Sequence, residues 1–333
     1  MTGDAPAGAP FLRSNRPTLA LLLAIAAALP SCGGSDTPAG QAPLPVATPS
    51  PTPAPTSSPT PSPAASYELG FDLSRDRSYP LIGAQLTSTS TNVGTVPTYS
   101  AIASDLLDAV INPFATYVAA TQQTTLSLAN GASTTYERSQ LTLQNATALT
   151  YSPATGFFTL FQPGPTLGNL PAPLRYVVGI VQNEQIRNAG GGLDNLERRF
   201  VGGTATRPED APTSGALTYT VLLSTYAQTP LRANSFNREN ATMAVDYTAR
   251  TVRGTILATS TSASEAQSSV ELTFDGQLGS GGTSFNGSVT SPDGGSGRFS
   301  GRLYGPAAGE IGLALDFTRG SQKLIGTMVG LRR

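Results

Sequence analysis

Residues 297–333, GRFSGRLYGPAAGEIGLALDFTRGSQKLIGTMVGLRR, contain three segments in which apolar and polar side chains alternate. In the second segment the alternating residues are Ile311, Leu313, Leu315 and Phe317 on one side and Glu310, Gly312, Ala314 and Asp316 on the other. A period of two is typical of a strand with one apolar and one polar face. The Gly- and Pro-rich stretch 304–310 is typical of a turn. Residues 297–333 therefore predict three antiparallel strands joined by short turns.

The alternation continues upstream and predicts five further strands. The eight predicted strands lie near 215–224, 241–247, 252–259, 269–278, 284–290, 297–304, 310–318 and 323–331. Eight antiparallel strands with tight turns close into a barrel whose interior side chains just fill. We expect the lumen to contain Phe274, Phe285, Phe299 and Phe317. A filled lumen disfavours a lipocalin-like barrel around an apolar ligand, and the short strands without Trp disfavour a transmembrane barrel.

The C-terminal motifs resemble those of a known family. Tyr304-Gly305-Pro306, Glu310-Ile311-Gly312 and Arg332-Arg333 are similar to the closing strands of the transferrin-binding-protein-B-type β-barrel, found in bacterial surface lipoproteins. The family usually has Asn at the position of Ala307 and a second Gly at that of Leu313. The resemblance implies an all-β chain, in which a small β-rich handle domain precedes an eight-stranded antiparallel up-and-down barrel.

The same resemblance assigns a structural role to five residues. It implies a barrel-closure motif made of Tyr304, Gly305, Pro306, Glu310 and Gly312. Within this motif we expect the side chain of Glu310 to accept hydrogen bonds from neighbouring backbone donors. The motif therefore predicts the scaffold and does not name a ligand.

Residues 1–31 have the pattern of a lipoprotein signal peptide. Arg13 and Arg16 precede the apolar run 19–29, which is shorter than the roughly 20 residues that span a bilayer. The run leads to Ser31 and Cys32, which resemble a lipobox cleaved between the two residues and lipid-modified on Cys32. The alternative is an ordinary secretory signal with an incidental cysteine. We favour the lipobox, because the one cysteine of the chain stands where processing needs it.

The lipobox predicts where the protein resides. Several acyl chains on one cysteine anchor a protein stably in a bilayer. Gly33 replaces the Asp that often retains lipoproteins in the inner membrane. We therefore expect a lipid anchor in the outer membrane through acylated Cys32, with the folded part exposed on the cell surface.

Composition divides the mature chain into three parts. Residues 32–66 are rich in Pro, Ser and Thr, and Pro removes backbone donors, so this segment predicts an extended linker. Residues 67–200 predict a handle-like β-rich domain, and residues 201–333 predict the barrel, whose start resembles the family at 200–204. Within the handle, residues 104–111 predict a short helix, because one helical face contains Leu106, Leu107, Val110 and Ile111.

The composition also excludes several functional classes. The chain has no His, which excludes Ser-His-Asp triads, Cys-His dyads and His-ligated zinc or haem. Its single Cys excludes an intramolecular disulfide. The formal net charge of −1 gives no electrostatic reason to bind nucleic acid.

Acid–base chemistry would depend on carboxylates. The carboxylates weighed for it are Glu209, Asp210, Glu271, Asp275, Glu310 and Asp316. Their alternation with apolar residues predicts that they face solvent, whereas a glycosidase needs two carboxyls at one bond. We therefore predict that the chain is not an enzyme and has no catalytic, cofactor-binding or metal-binding residues.

Two functional hypotheses remain. The first is a surface-anchored binding lipoprotein, whose loops and handle hold a protein or a small ligand, since loops on a rigid scaffold usually carry binding. The second is a structural or accessory envelope lipoprotein without a specific ligand.

Overall fold

A computed structural model describes residues 66–93, 96–107, 113–128, 131–165, 170–260 and 268–333. These residues form β-strands and short 3-10 turns, and no α-helix occurs among them. Accordingly, the described residues offer no helix of the length and apolarity that crossing a membrane requires. The 3-10 turns cover Arg138–Gln140, Pro208–Asp210 and Pro306–Ala308. The strands are β1 (Arg77–Val93), β2 (Val96–Leu107), β3 (Phe114–Val118), β4 (Gln123–Ser127), β5 (Ser133–Tyr136), β6 (Leu141–Gln144), β7 (Ala148–Tyr151), β8 (Gly156–Phe161), β9 (Val177–Arg187), β10 (Leu193–Gly203), β11 (Ala216–Thr229), β12 (Arg232–Asn234), β13 (Phe236–Asp246), β14 (Thr251–Ser260), β15 (Ser269–Leu278), β16 (Ser284–Thr290), β17 (Ser296–Tyr304), β18 (Glu310–Arg319) and β19 (Gln322–Arg332).

The second half of the chain forms a closed antiparallel barrel. Its strands follow the order β11-β13-β14-β15-β16-β17-β18-β19, and β19 pairs with β11 to close the ring. The short strand β12 pairs with the end of β11 outside this ring. The predicted eight-stranded up-and-down barrel is therefore confirmed, with each predicted strand present.

Apolar side chains fill the lumen of the barrel. Phe274, Phe285, Phe299 and Phe317 are each at most 2% exposed, as expected from their alternation. Val221, Leu223, Met243, Leu272, Leu313 and Met328 pack in the same cluster. A barrel of eight strands leaves only enough interior for such side chains. The lumen is thus a hydrophobic core.

The first half of the chain forms the handle, a second curled sheet. Its strands follow the order β5-β4-β3-β1-β10-β9-β8-β7-β6, and β2 pairs with β1 beside them. The two ends of the sheet approach each other, since Tyr151 of β7 donates a 2.8 Å hydrogen bond to the carbonyl of Gln122 beside β4. The core of the handle is rich in tyrosine, and the ring of Tyr136 stacks on Phe158 at 4.5 Å.

A third apolar cluster joins the handle to the outer wall of the barrel. The handle contributes Ile82, Ala84, Leu86, Leu106, Val177 and Val201. The barrel contributes Tyr304, Ala314, Ile325 and Val329, with Leu222, Tyr226 and Leu331 packed around them. Strands β1, β2, β9 and β10 are therefore buried on both faces along part of their length.

The helix predicted over 104–111 is wrong for its described part. Residues 104–107 belong to β2 and pair with β1, and residues 108–112 lie outside the described residues. Successive side chains of a strand point to opposite faces. Leu106 therefore packs in the cluster between handle and barrel, whereas Leu107 packs in the core of the handle. Both faces of β2 are buried here, so adjacent positions are both leucine. This pattern resembles the apolar face of a helix.

The domain limits stay predictions. Residues 200–203 belong to β10 and pair with β1 and β9 of the handle, and the barrel strands begin at Ala216. The signal peptide 1–31, with Ser31, and the segment 32–65, with Cys32, lie outside the described residues.

Candidate functional site

The five motif residues lie together at one hairpin of the barrel. Tyr304 ends β17 and pairs with Glu310, the first residue of β18, and Gly312 follows in the same strand. Gly305 and Pro306 form the turn between them. The seam that closes the barrel lies between β11 and β19. The turn reaches both seam strands, because Tyr219 Oη donates to the carbonyl of Ala308 at 2.8 Å and Arg332 N donates to that of Gly309 at 2.9 Å.

Glu310 points away from the lumen and towards the handle, and it is 2% exposed. Its Oε1 accepts a 2.6 Å hydrogen bond from Arg175 N. Its Oε2 accepts hydrogen bonds from Tyr176 N at 3.0 Å and Val177 N at 2.9 Å. Burial raises the pKa of Glu310, although the three backbone N–H groups lower it. The expectation that Glu310 faces solvent is therefore wrong.

The backbone donors of Glu310 come from the handle. They lie 133 to 135 residues upstream, at the start of β9. A carboxylate that accepts several backbone N–H groups makes strong, charge-assisted hydrogen bonds. Glu310 consequently ties the barrel to the handle.

Gly305 sits against the same handle segment. Its φ is +70°, which favours glycine, and a Cβ there would lie 2.3 Å from Cδ2 of Tyr176. Gly305 N also donates to the carbonyl of Thr204 at 3.0 Å, and Thr206 Oγ1 donates to the carbonyl of Gly305 at 2.8 Å. Gly305 thus packs against Tyr176 and is hydrogen-bonded to Thr204 and Thr206.

The other candidate carboxylates do not form a catalytic pair. Glu209, Glu271 and Asp275 are exposed, as expected. Asp316 is partly buried and accepts a 2.6 Å hydrogen bond from Ser104 Oγ of the handle. Among the described residues, no cluster of three or more Asp, Glu, His or Cys side chains could hold a metal ion.

No sequence pattern indicates the groove that lies on the handle, which we call the handle groove. It measures about 480 Å³ and is lined by β1, β2, β9 and β10. Cross-strand register arranges its side chains in rows: Gln85-Arg198-Gln182, Thr87-Leu196-Glu184 and Thr89-Asp194-Ile186. The preceding row, Gly83-Phe200-Ile180, belongs to the apolar core. The groove therefore continues the inner face of the handle where that face becomes polar.

Arg198 lies in the first row of the handle groove between two glutamines. Its Nε donates to Gln85 Oε1 and its Nη1 donates to Gln182 Oε1, both at 3.2 Å. Gln182 is fully buried and donates from Nε2 to Glu184 Oε1 at 2.9 Å. Burial lowers the pKa of Arg198. No ion pair among the described residues includes Arg198.

Residues 211–332 match the sequence profile of a family described as the C-lobe and N-lobe β-barrels of transferrin-binding protein B. The barrel matches this family of β-barrels. The match spans β11 to β19 and includes the predicted closure motif. The resemblance drawn from Tyr304-Gly305-Pro306 and Glu310-Ile311-Gly312 is therefore confirmed.

Two solved structures are similar to this chain. The haemoglobin receptor HpuA of Kingella denitrificans is 16% identical, with 81% of this chain and 91% of that chain covered and a TM-score of 0.40. Isotype 1 transferrin-binding protein B of serogroup B Neisseria meningitidis is 13% identical, with a TM-score of 0.41. The similarity covers 76% of this chain and 43% of that one. A search of curated proteins found no match.

Proposed function

We propose that the chain is an outer-membrane-anchored, surface-exposed binding lipoprotein that captures a protein partner with its handle and loops. The observation that carries the proposal is the match of residues 211–332 to the transferrin-binding-protein-B barrel family. The contacts of Glu310 and the shared apolar cluster support it, since they join handle and barrel and give a preorganised surface. The handle groove is an open surface on this frame.

The proposed anchor is an acylated Cys32. The test is to express the full chain, with its signal peptide, in a bacterium with an outer membrane and to supply a labelled fatty acid. The wild-type protein is expected to take up the label and to sediment with outer membranes. The Cys32→Ser variant is expected to lose the label. Equal labelling of the variant, or an unlabelled wild type, contradicts the lipid anchor.

Surface exposure and capture are tested on the same cells. Protease added to intact cells is expected to release the handle and barrel, while a periplasmic control protein stays intact. Released domain establishes exposure, and protection contradicts it. Intact cells that display the protein are then expected to enrich a partner from host fluids, relative to cells without it.

The alternative function is a structural or accessory envelope lipoprotein without a specific ligand. It is favoured by one observation, namely that the recognisable motif residues all make contacts within the scaffold. The capture experiment separates the two functions. Surface display without any enriched partner across several host fluids supports the alternative.

A further inference from the structure

Arg198 is a partly buried cation that forms no direct ion pair with any described residue, although the charge of Glu184 in the next row opposes the effect of burial on its pKa. Removing a charge from water is costly unless an opposite charge or several hydrogen bonds replace the water. The acceptors of Arg198 are the neutral amide oxygens of Gln85 and Gln182. A guanidinium carries five N–H groups, and the described residues provide acceptors for two of them. The guanidinium is therefore oriented by its neighbours while part of its donor capacity stays unused.

The position of Arg198 makes this capacity accessible to a ligand. Arg198 stands at the boundary where the apolar core of the handle gives way to the open groove. Clefts with a few convergent polar groups are common binding sites. A carboxylate is the group that matches a guanidinium best, through two parallel hydrogen bonds.

The charges at the outer part of the groove disfavour a doubly negative ligand. Glu184 and Asp194 lie one and two rows beyond Arg198, and neither takes part in an ion pair of the described residues. These carboxylates repel a dianionic phosphate more strongly than a monoanionic carboxylate. The groove thus disfavours a dianion relative to a monoanion.

The shape of the groove favours an extended chain over a small free acid. Its rows run from residue 85 to residue 89 of β1, a distance of about 13 Å at ~3.3 Å per residue. Leu196 lies in the middle row, and Ile186 at the far end is 53% exposed. These apolar side chains offer contacts to residues that flank a bound carboxylate.

We propose that the handle groove binds an extended segment of the partner protein that carries an Asp or Glu side chain, with its carboxylate on the guanidinium of Arg198. This inference rests on the proposed binding function and specifies the chemistry of its partner. Gln85 and Gln182 act as positioning residues, since they orient the guanidinium towards the groove.

The test uses the full lipoprotein in detergent micelles and three probes. The first is a capped seven-residue peptide of Leu and Ala residues with one central Glu. The second is the same peptide with Gln in place of Glu, and the third is free glutarate. The Glu peptide is expected to bind the wild type at least tenfold more tightly than the Gln peptide and than glutarate. Equal binding of the two peptides, or no binding of either, overturns the proposal. Glutarate that binds as tightly as the Glu peptide overturns the extended segment.

Matched variants test whether Arg198 causes the preference for the Glu peptide. Arg198→Gln is expected to abolish the preference for the Glu peptide. Arg253→Gln, which changes an arginine on the barrel wall whose side chain is 65% exposed, is expected to keep it. A preference that survives Arg198→Gln overturns the proposal.

A second variant serves in case Arg198→Gln does not fold. Ile186→Glu changes an exposed side chain and adds negative charge to the groove, so it is expected to weaken binding of the Glu peptide at least threefold. Unchanged binding overturns the proposal. A different result is that cells with wild-type protein and cells with Arg198→Gln capture a partner equally well. This result would keep the proposed binding function and reject only the role of the handle groove.

Discussion

At the scale of single residues, Glu310 shows what a motif can and cannot predict. The sequence resemblance predicted that its carboxylate binds backbone N–H groups, and three such bonds are present. The sequence could not identify the donors, because they lie more than 130 residues upstream and are brought near only by the tertiary fold. The same limit applies to Arg198, whose partner Gln85 is 113 residues away. Residues of a site that come from distant strands have no common local pattern.

Replacement of Glu310 is expected to weaken the attachment of handle to barrel. In Glu310→Gln an amide NH₂ replaces one acceptor oxygen and faces a backbone N–H, so at least one buried donor loses its partner. Such a loss costs about 1–3 kcal/mol. Urea unfolding is expected to show this decrease for Glu310→Gln and a change within about 0.5 kcal/mol for the exposed Glu271→Gln. Equal decreases in the two variants would contradict the role of Glu310.

At the scale of elements, how well the sequence predicts a strand depends on whether one or both of its faces are buried. The barrel strands have one face on the lumen and one mostly on solvent, and their period of two is clear in the sequence, as in β15, where buried and less buried residues alternate. Strands β1, β2 and β10 pack on both the core of the handle and the outer wall of the barrel. Their apolar residues therefore no longer alternate, which is typical of strands buried on two sides. This is why the sequence predicts the eight barrel strands but predicts a helix where β2 ends.

The two-sided burial of β2 makes a prediction about its adjacent leucines. Leu106 and Leu107 are 6% and 2% exposed and belong to different clusters. Leu106→Ala and Leu107→Ala are each expected to lower the free energy of unfolding by about 2–4 kcal/mol, because each leaves a cavity. Leu257→Ala, at a site 46% exposed, is expected to change it by less than about 0.5 kcal/mol. Chemical denaturation measures all three, and a neutral effect at either position of β2 contradicts the two-sided strand.

At the scale of the whole molecule, two buried carboxylates lie between handle and barrel. Glu310 of the barrel accepts its hydrogen bonds from the handle. Glu197 of the handle is 5% exposed and pairs with Arg199 at 3.1 Å, and Arg199 donates to Ser224 of the barrel at 2.8 Å. Burial raises the pKa of both carboxyl groups. Their ionisation is therefore less favourable in the folded protein than in the unfolded chain.

This difference predicts how stability depends on pH. A group whose pKa is raised by folding binds more protons in the native state, so the free energy of unfolding falls as pH rises. For Glu197 and Glu310 the fall begins near the ordinary glutamate pKa of 4.5 and continues through their raised values. Each carboxyl contributes at most about 1.4 kcal/mol per pH unit. Asp72 has the opposite effect below this range. Hydrogen bonds from Ser74 and Arg75 lower its pKa to about 2, so its contribution to stability is lost as pH falls.

Urea unfolding between pH 4.5 and 7.5 measures the effect of the two glutamates. The wild type is expected to lose stability across this range, and Glu197→Gln and Glu310→Gln are each expected to flatten the profile, because each removes one titrating group from between handle and barrel. The exposed Glu271→Gln serves as the control and is expected to follow the wild-type slope. The comparison concerns slopes, so a uniform loss of stability in a variant does not affect it. Parallel profiles for the wild type and both buried-site variants would show that these carboxylates do not govern the pH dependence.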